Sequence, residues 1–471
     1  MAAIAIPYLA SKREVGRFPE LTMRNLIVER TETQLERPLA LISRPGLKPF
    51  VTVGQGPVRG LYRKAGLFND QTMIVSGTQV FLVADNGQVT TLTGSVAGRG
   101  RVRIDMGRDD EANDIARIAT GTALYLVSGS TVTAEDFPGS GADAAGCTDV
   151  LEFRSFWIAI RAGTDLVYYQ VPGVSTWTLL DYAAAEYQPD KLEALESLGQ
   201  GLWFLGTDTT EVWALTGDGN DPIAPAGGQA YDAGCRARDT AVSIAGVLFW
   251  VDQRCNVRMT TGGVPQVISD SALAEQIRGV PAEDLRAWAF GLDGHVYYVL
   301  TTGEATWVFD ASAERWSRFS SKGYDYWRAH LGTDVGGVVI CSDALQGSNQ
   351  VWKLDTDRQT DGDDEYPAFF TAMIEQPEGA LPLGNVVVNM AKGYAPRSGQ
   401  GSSPLVGMRY GDNDATKWSA WQWASPGITG ARDGQVRWNR LGMVRPPNRF
   451  IQILCSDPIE RRFSDVRGNV P

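Results

Sequence analysis

The sequence predicts an all-β protein: an irregular β-propeller of about seven blades, followed by a smaller C-terminal β-sandwich-like domain. Three observations carry this. Gly (52 residues) and Pro (23) punctuate short runs rich in Val, Ile, Thr, Tyr, Phe and Trp. Segments of helical period are almost absent. Apolar runs recur, beginning near Gly77 (GTQVFLV), Gly121 (GTALYLV), Arg154 (RSFWIAI), Gly199 (GQGLWFLG), Gly246 (GVLFWV), Gly294 (GHVYYVL) and Gly336 (GGVVICS), at spacings of 44, 33, 45, 47, 48 and 42 residues. A four-stranded propeller blade occupies ~40–50 residues, so the period fits blades.

Each element follows in order. Residues 1–50 precede the repeats. They are expected to pack with the C-terminal β-domain, because both ends of the chain are basic. Residues 51–360 form the propeller. Within it, hairpins carry aromatic residues on both strands: Trp157 with Trp177, Trp203 with Trp213, Tyr297 with Trp307. Such residues are expected to fill the space between blades, with a sugar-stacking platform as the functional alternative. Two short helices are expected, over Ser271–Arg278 after the cap Asp270, and over Pro281–Trp288 with Pro281 in its first turn. The acidic stretch Thr356–Glu365 (TDRQTDGDDE) ends the repeats and reads as a linker. Alternating segments over 366–471 suggest a β-sandwich or jelly roll serving as a platform or docking domain. The loop Tyr394–Ser403 is flexible by composition.

Composition narrows the chemistry. The chain of 471 residues carries a net charge of −12, which disfavours a surface that grips phosphate backbones. Its five cysteines are far apart and without a CxxC pair, so buried reduced thiols are expected rather than zinc ligands or a disulfide framework. No run approaches the ~18–20 apolar residues of a membrane helix, and membrane insertion is not expected. His295 and His330 are the only histidines, too few for a three-histidine metal site. GxSxG, HExxH and GxxxxGK[ST] are all absent. Gly54, Gly56 and Gly60 read as turn residues. Three acidic clusters, at Asp218–Asp221, Asp361–Asp364 and Asp412–Asp414, lack EF-hand spacing and read as solvated turns. The sequence therefore predicts no catalytic residues, no metal ligands and no cofactor. A pair of carboxylates suited to glycoside hydrolysis is the open alternative, though no pair stands out.

Charge is unevenly placed. Residues 1–65 hold 11 Lys+Arg against 5 Glu, and residues 431–471 hold 8 Arg against 4 acids, leaving −22 on the intervening 365 residues. Arg432, Arg437, Arg440, Arg445 and Arg449 fall within 18 positions, interleaved with Trp438 and Phe450. Arginine and aromatic residues are favoured at interfaces, and these seven are the candidate docking residues. A solvated basic strand is the alternative.

Several segments, taken in order, resemble one family. Arg44-Pro45-Gly46-Leu47, Val58-Arg59-Gly60 and Gly100-Arg101-Val102 come first. Ala185-Glu186-Tyr187-Gln188-Pro189-Asp190 follows, then Leu205-Gly206, Thr210-Glu211 and Thr216-Gly217. Next come Gly294-His295, Thr306-Trp307-Val308 with Asp310, and Trp316. Arg440-Leu441-Gly442, Arg449-Phe450 and Ser456-Asp457-Pro458 close the set; residues 391–430 contribute nothing to it. The chain resembles the packaged-DNA stabilisation proteins of short-tailed bacteriophages, also called tail hub or nozzle proteins. The resemblance implies a non-enzymatic virion component made in the host cytoplasm. It implies a ring, a hexamer, below the portal and its head-to-tail adaptor protein. Such a ring extends the DNA channel, retains packaged DNA, and supports tail fibres or tailspikes and a tail needle or plug. Double-stranded DNA would pass without sequence recognition, along a lumen expected to be acidic. The competing expectations are a β-propeller that binds or cleaves polysaccharide and, third, a cellular propeller scaffold.

Overall fold

The computed structural model describes residues 2–5, 23–30, 39–138, 146–185, 187–219, 221–375, 379–391, 393, 395–412, 417–431, 435–446 and 448–470. These form two compact units, each discontinuous in sequence: one of residues 49–303 and 329–353, the other of 1–48, 304–328 and 354–471.

In the first unit, five four-stranded antiparallel sheets follow one another. Their first strands are Val58–Tyr62, Arg103–Arg108, Cys147–Phe153, Leu192–Leu198 and Val242–Ile244. We call them blades 1 to 5. The hairpin Leu285–Leu292 with His295–Thr302 begins blade 6, and Ala329–Val335, Val338–Asp343 and Gln350–Asp355 build blade 7. First strands therefore start 45, 44, 45, 50, 43 and 44 residues apart. The family of sheets closes on itself: the Val53 amide donates to the Asn349 carbonyl at 2.9 Å, and the Gln350 side chain donates to the Val51 carbonyl.

This regular period explains the one short spacing, 33 residues, in the sequence repeats. Gly77 and Gly121 sit between second and third strands of blades 1 and 2, whereas Arg154, Gly199, Gly246, Gly294 and Gly336 sit between first and second strands. The apolar runs change phase within the blade; the blades themselves do not.

Aromatic residues pack where blades meet. Trp203 and Val212 share a cross-strand row in blade 4, and both join Leu248 and Trp250 of blade 5 in one core. Trp213, one row along, points the other way into the core of blade 3 with Ile158 and Tyr169. Trp157 of blade 3 packs with Ile115 and Leu124 of blade 2.

The helix Ser271–Arg278 forms as predicted, with the Asp270 carboxylate accepting from the Leu273 amide at 2.8 Å. The second expected helix does not. Only a single 3₁₀ turn, Ala282–Asp284, precedes the strand Leu285–Leu292. Asp293 and Gly294, at φ +50° and +81°, turn this strand into a hairpin with His295–Thr302. An Asp-Gly turn between apolar runs outweighs the helix-start signal at Pro281.

The second unit is two sheets with one shared core. One sheet runs Leu26–Arg30, Leu39–Ser43, Arg462–Val470, Asn385–Met390, Val436–Asn439, with Ala2–Ala5 also on Arg462–Val470. The other runs Thr306–Asp310, Arg315–Phe319, Met23–Arg24, Ala368–Glu375, Asn448–Cys455, Val406–Asp412, Gln422–Ala424. Alternate residues face inward: Phe370, Ala372 and Ile374; Ile451, Ile453 and Cys455; Val386 and Val388; Leu26 and Val28.

The acidic stretch read as a linker is folded into this unit. Thr360–Asp361 and Asp364–Glu365 form a tight hairpin, and the Asp361 carboxylate is buried against Arg44. All five cysteines are buried, and none forms a disulfide. Among the described residues, no helix is long and apolar enough to cross a membrane.

Candidate functional site

Three places concentrate polar chemistry or exposed apolar surface. The first is the axis of the propeller unit. Its first strands place charges among apolar neighbours: RVRID in blade 2, DVLE in blade 3, LEALE in blade 4. They line a cavity of about 330 Å³ with Arg101, Arg103, Asp105, Glu196 and Asp334 on its wall. The carboxylates at or beside it stitch blades together. Asp105 accepts from the Met106 amide of its own strand and the Glu152 amide of the next blade, both at 2.7 Å. Asp149 repeats this 44 residues later, accepting from Val150 (2.9 Å) and from Leu195 of blade 4 (3.0 Å). Asp334 accepts from Gly291 at 2.7 Å, and Ser243 donates to the Ser197 carbonyl at 2.7 Å. The sequence separations of these four inter-blade bonds are 47, 46, 43 and 46 residues. The repeat read in the sequence is thus the repeat of the stitching.

Cations weave between these acids. Arg103 pairs with Glu196 and lies 3.4 Å from Asp149; Lys64 contacts Glu152 at 2.6 Å and Asp105 at 3.6 Å. Four carboxylates share two cations in this cluster. Burial, with too little positive charge to offset it, pushes the Glu196 carboxyl up to about 7 against the pull of Arg103. Asp105 is raised as well, again first by burial. Asp239 is the reverse case. Burial raises it, but Arg101, Arg238 and Arg286 together outweigh burial and hold it at about 2. Burial and the nearby arginines push His330 down to about 4. Perturbed groups in a cleft are also how active sites look. Here Asp105, Asp149 and Asp334 accept backbone amides and Glu196 is held by Arg103, so the geometry describes a structural network.

The second place lies in the sandwich unit. Arg44 is fully buried and uses all five of its N–H donors. Two go to the Asp361 carboxylate at 2.9 and 2.7 Å; the others go to Asn25 Oδ1 and the carbonyls of Pro45 and Ser320, each at 2.9 Å. Its guanidinium lies 3.7 Å from the Tyr366 ring centre, and Arg461 lies 4.6 Å from the same ring. The Tyr366 hydroxyl donates to the Arg44 carbonyl at 2.7 Å. Segments near residues 25, 44, 320, 361 and 461 are thus tied at one point. Gly46 has no room for a side chain, since a Cβ would stand 2.4 Å from the Thr360 carbonyl oxygen.

The third place comprises the predicted docking residues. Arg432 lies outside the described residues. Arg437, Arg440 and Arg445 are exposed. Trp438 alternates with Arg437 on one strand and is buried, its indole N–H donating to the Gln422 carbonyl at 2.9 Å. Phe450 is fully buried. Arg449 is also buried: it pairs with Asp412 at 2.6 and 2.9 Å, donates to the Leu441 and Met443 carbonyls, and lies 4.2 Å from the Tyr410 ring centre. The fold therefore divides the set, turning three arginines outward and Trp438, Arg449 and Phe450 inward.

Of the acidic clusters, Asp361 and Asp412 are occupied by arginines. Among the described residues no group of three or more His, Cys, Asp or Glu side chains is arranged to hold a metal ion. Sequence reasoning missed the axial network. Its available signal was a charged residue inside an apolar strand recurring at the blade period, as Asp105 and Asp149 do. It also missed a row of aromatic rings on the edge strand of the sandwich, where Arg409 lies between Trp418 and Trp421 at 4.7 and 4.6 Å, with Trp423 alongside and half exposed.

Solved structures share only distant likeness with the chain. The extracellular domain of a protein assigned to the one-component systems of B. thetaiotaomicron is 9% identical with a TM-score of 0.43, covering 86% of this chain and 56% of its own. The chain thus spans little more than half of that structure. The WD40 propeller domain of Doa1 is 12% identical (TM-score 0.41; 66% of this chain, 97% of its own). The propeller domain of Cps50 (Swd1) from Myceliophteria thermophila is 8% identical (TM-score 0.42; 66% and 99%). No activity or partner follows from these. No curated protein sequence matches. A family model described as bacteriophage P22 Gp10, β-propeller, matches residues 5–358, three quarters of the chain and every blade of the propeller unit. The stitched, seven-sheet body and this match lead to one conclusion: the chain belongs to the phage stabilisation family of bacteriophage P22 Gp10, a family of structural β-propeller proteins of the virion.

Proposed function

We propose that the protein is the tail nozzle, or hub, of a short-tailed phage. Copies form a closed ring of six below the portal and its head-to-tail adaptor. The ring lengthens the DNA channel, holds packaged DNA until ejection, and supports tail fibres or tailspikes and a needle or plug. The family match over residues 5–358 carries this reading. The propeller supports it physically, because each blade is tied to the next by buried charge and hydrogen bonds, as a rigid channel part requires. The basic sandwich unit, which includes residues 366–471, is the docking platform, presenting Arg437, Arg440 and Arg445. Electron microscopy of the purified protein, alone and with its adaptor, tests the reading. A closed six-fold ring is expected; any other symmetry about the tail axis overturns it.

One observation favours a second reading, binding of polysaccharide. The Trp418–Arg409–Trp421–Trp423 row offers flat indole faces of the kind on which sugar rings stack. Glycan binding that is lost in Trp423→Ala would establish it.

A further inference from the structure

Almost all of the chain's net charge sits in one place. Residues 162–235, covering most of blades 3 and 4, hold eleven acids and a single Lys, a net of −10 against −12 for the whole chain. The same two blades carry a cluster of exposed apolar side chains. Leu179 and Leu180 are 68% and 85% exposed, and Tyr182 and Tyr187 stand beside them in sequence, also exposed. Acids from both blades converge there. Burial, then the charges of Asp181 in blade 3 and Asp221 in blade 4, push the Tyr169 phenol up. A hollow of about 430 Å³ opens at this edge, lined by Tyr187, Trp213, Pro225 and Gln229 among others. Large apolar side chains exposed amid charge in this way mark an interaction site.

The sandwich unit presents the opposite chemistry. Over residues 437–445 it exposes Arg437, Arg440 and Arg445 with Met443 and contains no acid. None of the three arginines has an ion-pair partner among the described residues. Arg440 stands at a turn with φ +62°, its amide bonded to the Gly384 carbonyl, so its side chain leaves from a fixed backbone.

We propose that the acidic, apolar edge of blades 3 and 4 docks on the Arg437–Arg445 surface of a second copy of this chain. The two faces differ, so the contact is head-to-tail and propagates from copy to copy, which yields a ring where the rotation closes. Apolar side chains supply affinity, and the charges supply orientation and encounter rate. The inference rests on the proposal that copies assemble, and it names the faces that meet.

The test is a charge swap. One variant carries Asp218→Arg and Asp221→Arg, and a second carries Arg437→Asp, Arg440→Asp and Arg445→Asp. All five positions are exposed, so both variants keep the wild-type fold by circular dichroism. The first sets two arginines against the arginine surface and the second sets three aspartates against the acidic edge, so each alone is expected to lose the oligomer that wild type shows by sedimentation at low salt. Mixed in equal amounts they alternate, and the oligomer returns. Wild-type association weakens on the order of tenfold between low and physiological salt. Transient contacts are captured by mixing Leu180→Cys with Arg440→Cys protein under oxidising conditions. The native cysteines are buried, so the mixed disulfide is expected in excess of either homodimer. Oligomers that persist in both swap variants, with no mixed disulfide, overturn the faces and leave the ring standing. A wild type that neither sediments as an oligomer nor gives the mixed disulfide overturns both. Association with a different basic protein in place of a second copy also overturns the inference.

Discussion

Arg44 shows how one side chain can decide a fold's integrity. Removing one partner of a buried ion pair leaves the other uncompensated, at a cost of about 3–5 kcal/mol. Arg44→Met is therefore expected to destabilise by that amount in chemical denaturation. Adding Asp361→Leu should recover much of the loss, because no bare charge then remains. Two axial groups make opposite contributions to the pH dependence. Glu196 titrates near 7 in the fold and near its ordinary value when unfolded. The folded state thus binds the extra proton, and stability falls as pH rises between about 4.5 and 7. His330 is pushed down to about 4, so the unfolded state binds the extra proton and stability rises between about 4 and 6.5. The two slopes nearly cancel in the wild type. Glu196→Gln should expose the rising limb, so that stability climbs with pH between about 4 and 6.5, as measured by urea midpoints across pH. Equal pH profiles for the two proteins would remove Glu196 from the account.

At the scale of elements, glycines permit the blades to approach. A Cβ on Gly332 of blade 7 would stand 2.2 Å from the Trp288 ring of blade 6, and one on Gly107 of blade 2 would meet Trp157 of blade 3 at 2.9 Å. Gly332→Ala should cost about 1–3 kcal/mol through overpacking, and more than Gly107→Ala, read as a shift in thermal midpoint. The propeller was legible because apolar runs keep a period and turns carry Gly. The helix predicted at Pro281–Trp288 failed because a turn beyond it, at Asp293-Gly294, determined the pairing. Of the docking arginines, Arg437 against Trp438 was legible in principle, since neighbours on a strand face opposite ways. Arg449 was not, because its partner Asp412 lies 37 residues away and only the sheet brings them together. A variant reversing Arg449 would therefore test folding, not docking. Reversing Arg437, Arg440 and Arg445 to Glu should leave stability within ~0.5 kcal/mol while blocking incorporation into tails.

For the whole molecule, the axial cavity sets a limit on where DNA can go. A space of about 330 Å³ suits a small ligand, not a duplex, and charged side chains line it. On the proposed role, DNA would therefore run between copies rather than through a propeller. With a net charge of −12, the purified protein should give no mobility shift with duplex DNA at physiological salt, whatever the sequence. A sequence-dependent shift would point to a reader of bases that the proposed role does not include.

Closure of the two units also has a consequence in time. Val53 meets Asn349, Arg44 meets Asp361, and Leu41 pairs with Phe463, so the earliest-synthesised strands wait for the last. A ribosome adding ~5–20 residues per second leaves those early edges unpaired for tens of seconds or longer. During that interval each is a template for the wrong neighbour. Growth temperature and translation speed should therefore govern the soluble yield more strongly than equilibrium stability does. Slowing synthesis without cooling should lower that yield, whereas a permuted gene that makes residues 329–353 just before residue 49 should raise it.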